Sequence, residues 1–264
     1  MTDFVFDLPL AVSGAAVILI LCIYGVGGLL LTRRWIISRL RMSADDSDFC
    51  GSMVQSIMVF YGLAVALIAV SVWETYSEVS KLVSSEATSL AALYRDVSAY
   101  PDPIRQGLQK ELRDYTDYVI HEAWPKQQRG EVPVGGVEQV NRFQKVLAGF
   151  EPATEGQKLL HGEALRAYNL MVVARRLRLD AVKTGLPGVM WGVVVIGGFI
   201  GLSSAFFFKV EDARLHSILV ALLAIFMGLV IFMVLALDRP FRGELGLPAD
   251  PYQLVYDQLM KPAP

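Results

Sequence analysis

An all-α integral membrane protein, with four spans and a helical domain outside the bilayer, is the fold class this chain of 264 residues predicts. Three observations carry it. Four stretches, Leu8–Leu31, Ser52–Trp73, Gly188–Phe208 and Ser217–Leu237, contain no Asp, Glu, Lys or Arg. About 20 apolar residues in a helix cross a hydrocarbon layer of ~30 Å. Lipid offers peptide groups no hydrogen-bond partner, so these stretches have to be helices. Second, a polar block, Glu74–Pro187, separates the second stretch from the third. Third, 54% of residues are hydrophobic against 19% charged, and the mean hydropathy is +0.44, more apolar than an ordinary soluble domain.

The remaining composition excludes several classes. A net charge of -2 leaves no basic footprint for nucleic acid. Cys22 lies inside the first span and Cys50 just before the second, so neither a disulfide framework nor a metal site is indicated, and no cofactor is expected. The first stretch reads as a retained span: Met1–Leu8 carries no Lys or Arg, the run is too long for a signal-peptide core, and Arg33-Arg34 follow it.

Along the chain, residues 1–73 form the first transmembrane pair, with spans 8–31 and 52–73. Residues 74–187 form the helical domain, 188–243 the second pair with spans 188–208 and 217–237, and 244–264 a C-terminal tail. Thr32–Gly51 connects the first two spans through Arg33, Arg34, Arg39 and Arg41 and an acidic turn at Asp45, Asp46 and Asp48. From Leu63 to Tyr100 there is no Gly or Pro, while Val79, Leu82, Val83, Leu90, Leu93, Tyr94 and Val97 recur at helical spacing. One unbroken helix is therefore expected there, roughly 57 Å long at 1.5 Å per residue, ended by Pro101-Asp102-Pro103.

A second extramembrane helix fits Ile104–Trp124, ended by Pro125, and a shorter one fits Val137–Phe150. The next starts after Glu151-Pro152-Ala153-Thr154, and Gly185-Leu186-Pro187 breaks the chain at the membrane. Sidedness has two readings. Four arginines after an uncharged N-terminus place Thr32–Gly51 in the cytoplasm, whereas Arg175, Arg176, Arg178, Lys183, Arg239 and Arg242 place the polar block there. Either way the chain belongs in a cell membrane, expected to be the inner one, as a multi-pass protein.

Two constellations merit a functional reading. With four spans, the exit of the second, the entry of the third and the exit of the fourth share one membrane face. That face collects Trp73, Glu74 and Tyr76, then Arg176 and Arg178, then Asp238, Arg239 and Arg242. These can form an anchoring girdle of aromatics and arginines or a charged vestibule at a pore mouth. Asp238 is expected to pair with Arg176 or Arg178. In the second span, Ser52, Gln55, Ser56, Val59, Gly62, Ala66 and Ala69 fall on one stripe, with Leu63 beside it. Small and polar residues on such a stripe serve helix packing or face water in a conduit. The Gly188-x-x-x-Gly192 and Gly197-x-x-x-Gly201 pairs read as packing surfaces.

No enzyme constellation is present in this pattern. His121-Glu122-Ala123-Trp124-Pro125 lacks the second histidine of a zinc-binding helix, and Gly25-Val26-Gly27-Gly28 sits inside an apolar span with no strand before it. His161 and His216 are isolated in sequence and are expected to be solvated or interfacial.

Val72-Trp73-Glu74-Thr75-Tyr76, Leu93-Tyr94-Arg95, His121-Glu122-Ala123-Trp124-Pro125, Arg176-Leu177-Arg178-Leu179 and Leu235-Ala236-Leu237-Asp238-Arg239-Pro240-Phe241-Arg242-Gly243 together resemble the bacterial bestrophin-like family of four-span membrane proteins. The resemblance runs from about Ser52 to Gly243. Asp45–Gly51 departs from the Asn- or His-containing segment of that family. A more distant similarity links Trp73-Glu74-Thr75-Tyr76 to the Trp-x-x-Tyr that ends the pore helix of true bestrophins, which are pentameric anion channels. The resemblance implies a pore lined by the second span, with a hydrophobic neck near Gln55, Val59 and Leu63, and a cytosolic polar block. The acidic calcium clasp of animal bestrophins has no counterpart after Leu237. The expectation is an oligomeric ion channel in the lipid bilayer that prefers anions. The pore-lining residues would be Ser52, Gln55, Ser56, Val59, Gly62, Leu63 and Ala66, the partner a second copy of the chain, and small ions the permeating species. The alternative is a non-conducting sensor or protein-interaction module that uses the helical domain.

Overall fold

The computed structural model describes residues 6, 8–37, 44–208, 210 and 212–261. Their regular structure is helical, with no strand among the described residues. In order, the helices are α1 (Leu10–Thr32), α2 (Ala44–Val97), α3 (Ile104–Tyr118), α4 (Trp124–Gln128), α5 (Val137–Ala148), α6 (Glu155–Ala181), α7 (Gly188–Ser204), α8 (Ala213–Leu237) and α9 (Asp250–Val255). Four segments are long and apolar enough to cross a membrane: Leu10–Trp35, Gly51–Val97, Gly188–Phe207 and Ala213–Leu237. This is a multi-pass membrane protein.

The chain divides into two compact units, a membrane unit of Met1–Glu74 with Gly185–Asp238 and a helical unit of Thr75–Thr184 with Arg239–Pro264. In the membrane unit α1 lies along α8. Gly14 faces Phe232, Gly228 faces Ile18 and Gly25 faces Val220, so the two run antiparallel. Glycine is required at the Gly228 crossing, where a Cβ would come within 3.0 Å of the Ile18 backbone. Helix α2 meets α7 through Tyr61, whose hydroxyl donates to the Val194 carbonyl at 2.9 Å. A Cβ on Gly197 would lie 2.7 Å from the Tyr61 ring, and one on Gly201 2.8 Å from the Met58 sulfur. Gly188 and Gly192 face open space instead. Of the two small-residue pairs, one is a seam within the subunit and the other is uncovered.

Four expectations need correction or refinement. The acidic residues Asp45, Asp46 and Asp48 lie in the first turns of α2, not in a connecting turn, while Arg39 and Arg41 fall outside the described residues. Pro125 does not end its helix. A five-residue π-helical turn, Val119–Ala123, precedes it, and the chain continues as α4 to Gln128. Proline collides with the carbonyl four residues back, here that of His121, and the wider π turn removes that carbonyl from the collision. His216 is buried at 3% exposure, with Nε2 at 3.1 Å from the Ala205 carbonyl, rather than solvated. The segment after Gly243 is no free tail: Leu247, Tyr252 and Met260 are buried in the core of the helical unit.

Caps and breakers set the remaining boundaries. Thr154 accepts from the Gln157 N–H at 3.2 Å while the Gln157 side chain accepts from the Ala153 N–H at 2.8 Å, a reciprocal cap that starts α6. Pro187 sits at the N-cap of α7.

Candidate functional site

Helix α2 contains no proline, and its membrane half has one face packed and the opposite face uncovered. Val65, Ile68 and Val72 are 2%, 9% and 4% exposed and pack in the membrane unit's core. The opposite side, Ser52, Ser56, Val59, Leu63 and Val70, is uncovered, with Val59 61% and Leu63 59% exposed. Gln55 is uncovered as well. Gly62, Ala66 and Ala69 border an apolar cleft of about 490 Å³ whose far wall is Phe226, Met227, Val230 and Met233 of α8. Most of the stripe read from the sequence is thus uncovered within the subunit, while Ala69 packs against the core and Gly62 and Ala66 open onto the cleft. Bulky apolar residues, Phe60 and Leu67, flank the other shoulder at 74% and 65% exposure.

The charged residues expected at one membrane face fall in both units. In the membrane unit Asp238 is buried at 6% exposure. One oxygen accepts from the Leu186 N–H at 2.6 Å and the other from Trp191 Nε1 at 3.2 Å. A carboxylate on the residue that follows the fourth span therefore ties down the entry of the third. Trp73 is 58% exposed, and Glu74 is also exposed.

In the helical unit, Tyr76 donates to the Leu245 carbonyl at 3.0 Å and Arg239 donates to the Lys183 carbonyl at 3.0 Å. Arg242 lies along Gly130, whose φ of +77° needs glycine. Arg176 points outward, with Nε 3.9 Å from Asp180.

Arg178 overturns the expectation placed on it. It is 1% exposed, and its guanidinium closes on Glu86, itself 0% exposed. Nε donates to Oε2 at 2.6 Å and Nη2 to Oε1 at 3.2 Å, while Nη1 donates to the Gln127 side-chain oxygen at 2.6 Å. Arg178 therefore has its ion partner inside the helical core and is not the partner expected for Asp238. The Tyr115 hydroxyl donates to the same carboxylate at 2.6 Å. The guanidinium also stands 5.8 Å from the Trp124 ring centroid and 5.6 Å from that of Tyr252.

Burial by itself disfavours the charged guanidinium, but Glu86, with Tyr252 and Tyr115 behind it, outweighs that and holds Arg178 well above the ordinary arginine value. Burial first and the Glu86 charge second push both tyrosines up, so their hydroxyls stay protonated. Glu86, Tyr115, Gln127 and Tyr252 were absent from the sequence expectations. A signal existed: Glu86 takes the place of an apolar residue on the stripe Val79, Val83, Leu90, Val97, and Arg178 does so on Tyr168, Met171, Ala174, Ala181. Two opposite charges, each on a buried stripe, imply each other.

The run after the fourth span has its explanation here too. Phe241 is 1% exposed, its ring centroid 5.7 Å from that of Trp124. Gly243 turns the chain at φ +73°. Trp124 Nε1 then donates to the Leu247 carbonyl at 2.9 Å, and Tyr252 follows into the aromatic pocket. His161, isolated in sequence, meets the Tyr100 hydroxyl through Nδ1 at 2.7 Å.

Among the described residues no group of His, Cys, Asp and Glu could hold a metal ion. A family model described as the bestrophin-like domain matches residues 19–252. No curated protein and no solved structure matches the chain. The chain belongs to the bestrophin-like family.

Proposed function

We propose that this bestrophin-like membrane protein is an oligomeric ion channel of the inner cell membrane that prefers anions, with α2 of each copy lining the pore. The observation that carries the reading is the division of α2. Its membrane half packs by Val65, Ile68 and Val72 and leaves Ser52, Gln55, Ser56, Val59 and Leu63 uncovered. One four-helix subunit has too little interior for a conduit, whereas a ring of copies would turn one α2 face of each toward a common axis. There Ser52 and Ser56 would form a polar mouth. Val59 and Leu63 would form an apolar neck, a kind of constriction that gates by dewetting. Gly62 and Ala66 leave room beside the neck, on the side where the cleft opens. Membership of the bestrophin-like family and the Trp73-x-x-Tyr76 ending of the span support the same assignment.

Reconstitution into proteoliposomes tests it. Purified protein should run as a homo-oligomer and dissipate a chloride gradient, and Val59→Ser or Leu63→Ser should raise the flux more than Leu67→Ser. Oligomers that pass no ion, with or without those substitutions, would instead indicate a membrane-anchored interaction module.

A further inference from the structure

In the helical unit, α6 is covered on one side only. Ala164, Tyr168, Met171, Ala174 and Arg178 are buried in the unit. Leu159, Leu170, Val173 and Leu177 are 74%, 57%, 56% and 46% exposed. Steps of eleven, three and four residues return to nearly the same side of a helix, so these four form one line. The line is about 27 Å long at 1.5 Å per residue. Glu163 and Arg166 fill its middle and pair with each other at 3.7 Å. An exposed apolar line of this kind marks an association surface, and bulky side chains at three- and four-residue spacing are the knobs of a helix–helix contact.

The extramembrane half of α2 carries the complement. Glu86 holds Arg178 and Tyr100 meets His161, so α2 and α6 run antiparallel within the unit. Each step back along α2 from Tyr100 is then matched by a step forward along α6 from His161. To within one turn, Ala91 stands level with Leu170, Thr88 with Val173, and Ser84 with Leu177. Ser84 and Thr88 are exposed and Ala91 is half-buried. Where α6 carries bulky apolar side chains, α2 at the same levels carries small ones.

We propose that the Leu170, Val173 and Leu177 line of one copy packs on the Ser84, Thr88 and Ala91 side of α2 in the neighbouring copy, an inference that rests on the oligomeric part of the channel reading and not on conduction. Copies related by rotation about an axis that α2 follows stand at equal levels, so the register inside one copy carries over to the contact between two. A contact between two different faces is head-to-tail and closes a ring when the rotation closes. Charge fits the same register. Exposed Lys81 comes level with Asp180, whose own-helix partner Arg176 is 3.9 Å away, and exposed Glu78 comes level with exposed Lys183. At the far end Arg95 and Asp96 meet Glu163 and Arg166, a mixed pair opposite a mixed pair.

Disulfide cross-linking of the full-length protein in membranes tests it, in a background lacking Cys22 and Cys50. Co-expressed subunits carrying Thr88→Cys and Val173→Cys should give a dimer band on oxidation, and neither variant alone should. Ser84→Cys should cross-link to Leu177→Cys more than to Leu170→Cys, two turns away. Leu254→Cys, at another exposed apolar site of the helical unit, should give no band with Thr88→Cys. Val173→Asp should shift the protein toward monomer, while Leu254→Asp should not. An oligomer that forms without the mixed Thr88–Val173 band overturns the proposal and leaves the ring itself standing. A band from Val173→Cys alone overturns it in favour of two like lines meeting across a two-fold axis. A Val173→Asp protein as oligomeric as the wild type overturns it in favour of a different occupant of the line. A wild-type protein that is monomeric overturns both readings.

Discussion

Arg178 and Glu86, 92 positions apart in the chain, meet through two roughly parallel hydrogen bonds with both side chains sealed from solvent. The pair joins α6 to α2. Such a pair contributes little net stability over an apolar replacement, because desolvating two ions offsets most of their attraction. Its consequence is specificity of packing. Each partner is costly without the other, so the helical unit holds together with α2 in one register.

That asymmetry sets the first expectation. Glu86→Ala or Arg178→Ala alone should each lower stability by about 3–5 kcal/mol, since each leaves an uncompensated buried charge. Glu86→Leu combined with Arg178→Met should cost less than the sum of the singles, because groups in one network do not add. Thermal unfolding in detergent, followed by circular dichroism, checks this. Additive losses would mean the two charges do not depend on each other.

The C-terminal segment should behave as part of the core. Tyr252 is 0% exposed and lies beside Trp124 and Arg178, so Tyr252→Ala should cost roughly 3–5 kcal/mol, as for other buried aromatics. Leu254, 57% exposed two positions on, should cost less than about 0.5 kcal/mol when changed to alanine. Limited proteolysis provides a second reading. The Tyr252→Ala protein should be cut after Gly243 at protease levels that leave the wild type intact.

Asp238 should matter through hydrogen bonds. Asp238→Ala strands the Leu186 N–H and Trp191 Nε1, both half-buried, and should cost about 1–3 kcal/mol in all. Asp250→Ala, at an exposed site, should change little. Asp238→Asn keeps one acceptor oxygen and should fall between. Differential scanning fluorimetry in detergent separates the three, and equal melting temperatures for Asp238→Ala and Asp250→Ala would remove the structural role assigned to Asp238.

The two glycine pairs of α7 should respond oppositely. Gly197→Ala puts a Cβ against the Tyr61 ring and should destabilise by about 1–3 kcal/mol. Gly192→Ala meets nothing within 4 Å in the subunit. It should be neutral or stabilising by up to ~1 kcal/mol in the isolated subunit, from helix propensity alone. If Gly192→Ala instead disrupts the oligomer, as seen by cross-linking in membranes, that glycine faces a second copy.

Cysteine accessibility reads the α2 faces directly. In a background lacking Cys22 and Cys50, cysteines at positions 55, 59 and 62 should react with a water-soluble thiol reagent in the membrane, and those at 65 and 72 should not. Reaction on the buried face alone would turn the stripe into a packing seam.

Sequence determined the spans and the continuity of α2 past Trp73, because both depend on local terms: hydrophobic length, and a stretch after Leu63 without Gly or Pro that keeps a 3.6-residue period. The family resemblance was legible for the same reason, since runs such as Asp238–Gly243 are contiguous. Partner choice was decided only by the tertiary structure. Arg178 could have met any carboxylate on its side of the membrane. It meets Glu86 because α6 packs on α2 with both charges turned inward, and desolvation then forbids either from remaining alone. The path of the C-terminal segment was likewise settled by where Trp124 and Arg178 open a pocket for Tyr252, a pocket assembled from residues distant in the chain and therefore absent from any local pattern.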